Sequence, residues 1–125
     1  MDLVVERSNE PPGLTGGICR QCGFVFFPYQ SLGCERCGAF GQDLTLRTLA
    51  ASGRVRSGVI VQMGTAQIDA PYGAIEIELD DGPVVRGLSE GPQIVPIGAA
   101  VVGQLDQDSD AEAHLRLWFK RAEAN

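Results

Sequence analysis

The sequence predicts a mainly β protein built from two modules, an N-terminal cysteine-rich ribbon and a C-terminal five-stranded barrel. Two Cys-x-x-Cys pairs in the first half predict the ribbon. Short segments of alternating apolar and polar residues in the second half, without any sustained helical period, predict the barrel. The 125 residues suffice for one domain or two small ones, and with 44% hydrophobic residues the chain can bury a packed core.

The four cysteines form two identical pairs, Cys19-x-x-Cys22 and Cys34-x-x-Cys37, with 11 residues between them. A glycine follows each pair and can adopt the positive φ that closes a tight turn around a metal ion. Two such turns supply the four thiolates of a structural zinc site, each sulfur about 2.3 Å from the ion. The sequence shows no export-signal pattern, so we expect a reducing cytosolic environment, which disfavours two disulfides. We therefore predict one structural Zn²⁺ bound by all four cysteines, with iron as the alternative metal.

A stretch of small residues at positions 50–53 marks the predicted boundary between the two modules. We expect a flexible N-terminal segment over residues 1–13, the zinc ribbon over residues 14–50 and the barrel over residues 51–125. The acidity is concentrated in the barrel, because the chain up to residue 50 carries a net charge of −1 and the remainder carries −5.

The second half contains five predicted strands that suit a Greek-key barrel of the OB type. The clearest alternation places Ile75, Ile77 and Leu79 on one face, with acidic residues on the other, and a turn signal at residues 80–82 follows. The five predicted strands cover residues 53–63, 74–80, 83–88, 94–105 and 115–120. A short β-sandwich would accommodate the same segments.

The sequence shows no catalytic centre, and we predict that this chain does not carry one itself. All four cysteines are assigned to the metal. The single histidine, His114, follows an acidic segment, and the chain has no Gly-x-Ser-x-Gly nucleophile motif. The glycine-rich stretch at residues 13–17 lacks the lysine and the following helix of a phosphate-binding loop.

Charge and hydropathy argue against two classes of partner. Ten Lys and Arg face 16 Asp and Glu, which gives a net charge of −6 and disfavours binding to nucleic-acid phosphates. No apolar run approaches the roughly 18 residues of a membrane span, and no signal-peptide pattern follows Met1. We expect a cytoplasmic protein with neither nucleic acid nor membrane as its partner.

An ordered set of motifs in this sequence resembles the DUF35 family. The set comprises Gly17-x-Cys19-x-x-Cys22-Gly23, Phe27-Pro28, Cys34-x-x-Cys37-Gly38, Ser52-Gly53, Pro71-Tyr72 and Gly98-x-x-Val101. The resemblance covers nearly the whole chain, from residue 14 to about residue 120. Members join a rubredoxin-like zinc ribbon to an OB-fold and are associated with acyl-CoA metabolism, so the resemblance implies the same two modules here.

The resemblance also implies a partner. DUF35 proteins typically accompany thiolase-fold proteins, which carry the catalytic cysteine and histidines. It thus implies a non-catalytic accessory subunit, in a hetero-oligomer with a thiolase-fold subunit, for thiolysis or acyl transfer on a β-oxoacyl-CoA. A free-standing member of this size is similar to the small subunit of two-component thiolases, for instance one acting on benzoylsuccinyl-CoA.

Contact with CoA would bring cations to its phosphates. Arg54 and Arg56, on one face of the first barrel strand, are the first candidates, and Arg86 on the following hairpin is the next. Ordinary surface arginines that balance the acidic residues are the alternative interpretation.

Several aromatic residues have no obvious local purpose, namely those of the segment 24–29, Trp118 and Phe119. One interpretation packs them between the ribbon and the barrel. The other makes them a contact surface for a partner protein, with Phe26, Phe27 and Trp118 as the candidates.

Two further functions remain open from the sequence. Ribbons and OB-folds both occur in nucleic-acid-binding modules, but the barrel half is acidic and lacks a basic groove with interleaved aromatic residues. A rubredoxin-like electron carrier would use similar cysteine turns with iron, although the spacing of 11 residues favours zinc.

Overall fold

The computed structural model describes residues 3–5, 7, 10–64, 69–89, 95–105 and 117–122. These residues form nine strands and one short 3-10 helix. In chain order the elements are β1 (Val4–Val5), β2 (Gly13–Cys19), β3 (Val25–Phe26), the 3-10 helix (Gly41–Asp43), β4 (Leu44–Ala50), β5 (Ser52–Val61), β6 (Tyr72–Leu79), β7 (Val84–Ser89), β8 (Ala100–Leu105) and β9 (Leu117–Arg121). Within this part of the chain no helix has the length and apolar character that a membrane crossing requires.

The ribbon, β1 to β4, is built around β2. β4 pairs with β2 in antiparallel register over all seven residues, from Gly13 opposite Ala50 to Cys19 opposite Leu44. Because β4 fills one side of β2 completely, β1 and β3 share its other side, and both pair antiparallel to it. The first cysteine turn begins at Cys19, where β2 ends, so this central strand fixes the position of the first pair.

The barrel, β5 to β9, is closed in the order β5-β6-β7-β9-β8 and back to β5. All its pairings are antiparallel except that of β7 with β9, which is parallel. Alternation along β6 turns Ile75, Ile77 and Leu79 into the interior, where each is less than 4% exposed. The predicted five-stranded Greek-key barrel of the OB type is confirmed, and the β-sandwich alternative is not realised.

Each of the five predicted barrel strands coincides with one of the strands β5 to β9. The largest difference concerns β8, which begins at Ala100 although the apolar run starts earlier. The Ala99 N–H donates to the Pro96 carbonyl at 3.1 Å, and Gly98 has a φ of 89°, so a turn occupies residues 96–99. Proline and glycine thus delay this strand, as the predicted bend requires.

One hydrophobic core crosses the predicted boundary between the modules. It includes Leu14 and Leu49 from the ribbon together with Val55, Ile77 and other residues from the barrel. Only Ala51 separates β4 from β5, and its side chain is fully buried. Its N–H donates to the carbonyl of Pro12 at 2.9 Å, and its carbonyl accepts from the Gly103 N–H at 2.7 Å. The ribbon and the barrel therefore pack as neighbours on a shared core.

Candidate metal centre

The two cysteine pairs fold into the same turn. In the first, the Gly23 N–H donates to the Cys19 carbonyl at 2.8 Å, and in the second the Gly38 N–H donates to the Cys34 carbonyl at 2.8 Å. In both turns the N–H of the first cysteine donates to the carbonyl five residues later, at 2.9 and 2.7 Å. The glycines have φ values of 80° and 82°, a conformation that only glycine adopts without strain. The repeated motif in the sequence thus corresponds to a repeated backbone structure.

The four sulfurs converge on one point. All of the Sγ atoms lie within 4.8 Å of one another, with 3.6 Å between those of Cys19 and Cys37 and 3.7 Å between those of Cys22 and Cys34. A tetrahedron with metal–sulfur bonds of about 2.3 Å has edges of about 3.8 Å, so these distances fit a four-thiolate metal site. A disulfide would need sulfurs about 2.0 Å apart, and all four cysteines are free thiols. The arrangement can hold a metal ion, and the disulfide alternative is not realised.

The site is buried on one side and open on the other. Cys19 and Cys34 are buried, Cys22 is half-buried and Cys37 is exposed. Phe26 and Leu44 complete the buried cluster around the cysteines. This apolar wall restricts water on the inner side of the site, while Cys37 marks the side that faces solvent.

The proximity of the thiols separates their pKa values. Burial raises the pKa of Cys34, but backbone N–H groups, led by that of Cys37, and neighbouring thiols donate hydrogen bonds that lower it to about 7. For Cys37, the Ala39 N–H lowers the pKa, whereas burial and the other three thiols raise it to about 12. The Cys34 thiol therefore ionises readily and the Cys37 thiol does not, because two thiolate charges would lie close together. A bound cation would supply the missing compensation.

The segment before the second turn is organised by Gln30, a residue that the sequence did not single out. Its side-chain oxygen accepts from the N–H groups of Leu32 and Gly33, at 2.6 and 3.0 Å, and its amide nitrogen donates to the Gly33 carbonyl at 2.7 Å. These hydrogen bonds fix the approach to Cys34. A glutamine three residues before a glycine is too common a pattern to have predicted this role.

A search of solved structures finds a similar chain in the structure described as the Ltp2-ChsH2(DUF35) aldolase. The TM-score is 0.66, with 22% sequence identity over 86% of this chain and 81% of the other. The two chains share one fold. The fold that the DUF35 resemblance implied is thereby confirmed. No family model matches this chain, and no curated protein matches its sequence.

The three arginines proposed from the sequence for CoA do not lie together. Arg54 lies on the outer face of β5, where its Nη1 donates to the Gly98 carbonyl at 3.0 Å. Arg56 is exposed at an irregularity where the register of β5 against β6 shifts. Arg86 lies on β7 with its Nε 3.9 Å from Glu76 Oε2. The cleft that Arg54 lines is also lined by Lys120 and Arg121, which the sequence did not single out. Contact of Arg54, Arg56 and Arg86 with CoA stays a prediction.

The aromatic residues divide between several environments. Phe26 is 6% exposed and stacks between Phe24 and Tyr29, with ring centroids 6.4 Å apart in each pair. Phe27 packs against the core that the ribbon shares with the barrel. Trp118 is half-buried, opposite Gln104 of β8.

These placements bear differently on the two interpretations of the aromatic residues. Phe27 lies where the packing interpretation puts it, and Trp118 retains exposed surface. A partner contact by Phe26, Phe27 or Trp118 remains a prediction, and His114 lies outside the described residues.

Proposed function

We propose that this chain is a non-catalytic accessory subunit of a thiolase-fold acyl-CoA enzyme that performs thiolysis or acyl transfer on a β-oxoacyl-CoA. The observation that carries the proposal is the fold shared with a chain of the Ltp2-ChsH2(DUF35) aldolase. The description of that structure names two components, Ltp2 and ChsH2(DUF35), and one aldolase activity. This supports a partner protein for this chain as well. The order of motifs along the sequence, from the cysteine turns to Gly98-x-x-Val101, supports the same family relationship.

We assign Zn²⁺ as the metal, with a structural role. The four thiolates would fill a tetrahedral coordination sphere, and this leaves no position for water or substrate. When bound, zinc would accept electron pairs only from the four thiolates. It would therefore hold the two cysteine turns together. This chain's own contribution is to present four sulfurs from two identical turns at the end of β2 and after the Gln30 loop.

The ribbon also offers an apolar surface next to the metal centre. Leu32 is 90% exposed and Phe40 is 71% exposed, on either side of the second cysteine turn. The Gly41 N–H donates to the Ser31 carbonyl at 2.9 Å, which brings the backbones next to these two residues together. Exposed large apolar side chains on two neighbouring backbone segments favour a protein contact. We propose that Leu32 and Phe40 contact the thiolase-fold subunit.

Co-purification of the tagged chain from a lysate of its host cells, followed by mass spectrometry and a thiolysis assay, tests the proposal. We expect a thiolase-fold partner and activity on β-oxoacyl-CoA substrates, with benzoylsuccinyl-CoA among those assayed, only when both chains are present. Leu32→Ser with Phe40→Ser should reduce recovery of the partner by about tenfold, because a central apolar contact contributes on the order of 1–2 kcal/mol.

The matched control is Met63→Ser, since Met63 is 82% exposed but follows β5 of the barrel. It should leave recovery unchanged. Recovery of no thiolase-fold protein would contradict the proposed function. Equal recovery with the double variant would contradict the assignment of the contact surface.

A further inference from the structure

β4 leaves one side of the ribbon sheet open. It pairs with β2 along its full length and with no other strand among the residues that the structure describes. The barrel is closed, and β1 and β3, which lie on the other side of β2, are only two residues long each. With seven residues, β4 is therefore the longest open sheet edge within the described ranges.

The strand register shows which backbone groups of β4 point to this open side. Thr15 of β2 lies opposite Thr48 of β4. The Thr15 N–H donates to the Leu3 carbonyl at 2.9 Å and its carbonyl accepts from the Tyr29 N–H at 3.0 Å, both on the side of β1 and β3. Because opposite residues of an antiparallel pair direct their groups either toward each other or away from each other, Thr48 presents its N–H and C=O to the open side. The same alternation applies to Leu46, two residues earlier.

Both ends of the open edge are closed by hydrogen bonds within the chain. At its last residue, the Ala50 N–H donates to Asp81 Oδ2 at 3.4 Å. At its first residue, the Leu44 N–H donates to the Gly41 carbonyl, and the Leu44 carbonyl accepts from the Tyr29 hydroxyl at 3.0 Å. The two N–H and two C=O groups that point outward between these ends have no hydrogen-bond partner in the described part of the chain.

β4 also lacks the features that protect edge strands from pairing. Proteins usually protect an open edge with proline, lysine, a bulge or a very short strand. The register of β4 against β2 is unbroken over seven residues, and the strand contains neither proline nor lysine. Leu46 is 58% exposed on this edge, and the one charged side chain of the strand is that of Arg47. A regular edge of this kind favours a state in which another strand covers it.

From these observations we infer that β4 pairs antiparallel with β4 of a second copy of this chain. When Leu46 of one copy lies opposite Thr48 of the other, the outward N–H and C=O groups of both copies bond to each other about a two-fold axis at Arg47. This register uses every free group of both edges. A shift by two residues in either direction would instead direct free groups at Leu44 or Ala50, where hydrogen bonds within the chain already occupy the N–H groups. The open edge is thus complementary to itself.

The charges near this axis are compatible with the pairing. Arg47 would lie opposite the same residue of the second copy, and its Nη2 lies 3.7 Å from Asp81 Oδ1 of its own chain. Each arginine therefore enters the contact with its charge compensated, which reduces the repulsion between the two guanidinium groups. The complementary backbone groups and the compensated charge favour a second copy over a strand of an unrelated protein. This inference concerns the isolated chain and does not rest on the proposed accessory role.

Analytical ultracentrifugation of the full-length, zinc-loaded chain tests the inference over concentrations up to the millimolar range. We expect a reversible equilibrium between one chain and two. Thr48→Pro should weaken the dimer by about tenfold or more, because it removes one N–H donor at each of two symmetry-related positions. The variant should still fold, since proline is tolerated on an edge strand where the missing N–H points to solvent and makes no bond to the neighbouring strand.

A second pair of variants tests the side chains of the edge. Leu46→Lys places two like charges beside the two-fold axis and should also weaken the dimer by about tenfold or more. Ile97→Lys is the matched control, since Ile97 is 77% exposed in the turn before β8 of the barrel, and it should leave the dimer unchanged. A monomer at every concentration, or equal weakening by the two lysine variants, would overturn the inference.

Amide hydrogen exchange of the wild-type chain locates the contact without any variant. The Leu46 and Thr48 N–H groups should exchange more slowly, by about fivefold or more, at concentrations where the dimer forms. A dimer in which these two amides remain unprotected would overturn the inference. Protection that appears only after addition of a co-purified thiolase-fold partner would also overturn it, because the edge would then be assigned to a strand of that partner.

Discussion

Gly23 and Gly38 show how a single residue can determine the shape of a candidate metal site. Their φ values of 80° and 82° lie in the left-handed region, and no heavy atom lies within 4 Å of the Cβ that an alanine would add. Substitution there would therefore meet backbone strain without any steric clash. The effect of backbone strain on stability can therefore be measured here without a packing effect, a separation that is rare in a folded protein.

Replacing Gly38 by alanine should lower the free energy of unfolding of the zinc-loaded chain by about 1–2 kcal/mol, the usual cost of left-handed backbone in a residue with a Cβ. Chemical denaturation with excess zinc measures this change. Gly33→Ala is the matched control, because Gly33 is equally unobstructed and its φ lies outside the left-handed region. Equal destabilisation by both substitutions would show that strain at the turn is not the cause.

Cys34→Ser and Cys37→Ser should both lower the zinc content, which we expect to be one ion per wild-type chain. The loss of stability should be larger for Cys34, on the order of 3 kcal/mol or more, because its replacement also leaves a hydroxyl in a buried cluster. Metal analysis and thermal unfolding measure the two effects. A strongly coloured wild-type protein with iron bound would contradict the assignment of zinc.

The convergence of the four cysteines could be predicted from the sequence because their spacing is local. Two residues between cysteines and a glycine after them specify a turn without reference to the remainder of the chain. Gln30 could not be found in this way, since its hydrogen bonds to Leu32 and Gly33 depend on one particular loop conformation.

At the scale of elements, β5 is held tightly by its two neighbours near its start. Gly53 lies opposite Leu79 on β6 and Val101 on β8. A Cβ at this position would collide with the backbone carbonyl of Glu78, which cannot move without disturbing the β5–β6 pairing. The strand requires glycine here for close approach of two backbones.

Gly53→Ala should therefore lower the free energy of unfolding by about 3 kcal/mol, as expected for overpacking against a rigid neighbour. Gly58→Ala on the same strand is the control, because its Cβ would lie 3.0 Å from the Cγ2 methyl of Ile75, a contact that a shift of a few tenths of an ångström relieves. The control should change the stability by less than about 1 kcal/mol. Urea denaturation of both variants provides the comparison, and a neutral Gly53→Ala would contradict the close approach.

The strands of the barrel were predictable because each buries one face. Alternation in β6 follows from Ile75, Ile77 and Leu79 pointing into a closed barrel. The position of β1 was not predictable, since Leu3, Val4 and Val5 form an apolar run of only three residues. Pairing with Leu14 and Gly13 makes Val4 and Val5 a strand.

At the scale of the whole molecule, the shared core couples the metal centre to the barrel. Leu14 and Leu49 pack with barrel residues, and both lie on strands that also contact the cysteine-bearing segments. Loss of order in the ribbon would expose part of the barrel core to water. The two modules should therefore unfold together.

Chelation of the metal tests this coupling. We expect a strong chelator to lower the unfolding temperature by more than about 10 °C and to speed amide exchange in β5 as well as in β2, since metal binding contributes folding free energy. Calorimetry should show a single transition with and without chelator. Two separated transitions, or unchanged exchange in β5, would contradict the coupling.

The cleft that both Arg54 and Lys120 line illustrates what a single sequence conceals at this scale. Arg54 and Lys120 are far apart in the chain, and only the pairing of β8 with both β5 and β9 brings them to one cleft. Local alternation predicts that each lies on a strand. It contains no information on which strands become neighbours. The sequence therefore pointed to Arg56, and not to Lys120, as the companion of Arg54 in CoA binding.

Ala51 has a consequence for how such a protein can diversify. Recombination between proteins with two modules usually succeeds where the joining segment is exposed and makes few contacts. Here the joining residue is a buried alanine hydrogen-bonded to Pro12 on one side and Gly103 on the other. In a chimera joined at this position, the residues that bond to Ala51 would come from two different parent proteins and would not match. We therefore expect the ribbon and the barrel to be exchanged as one unit.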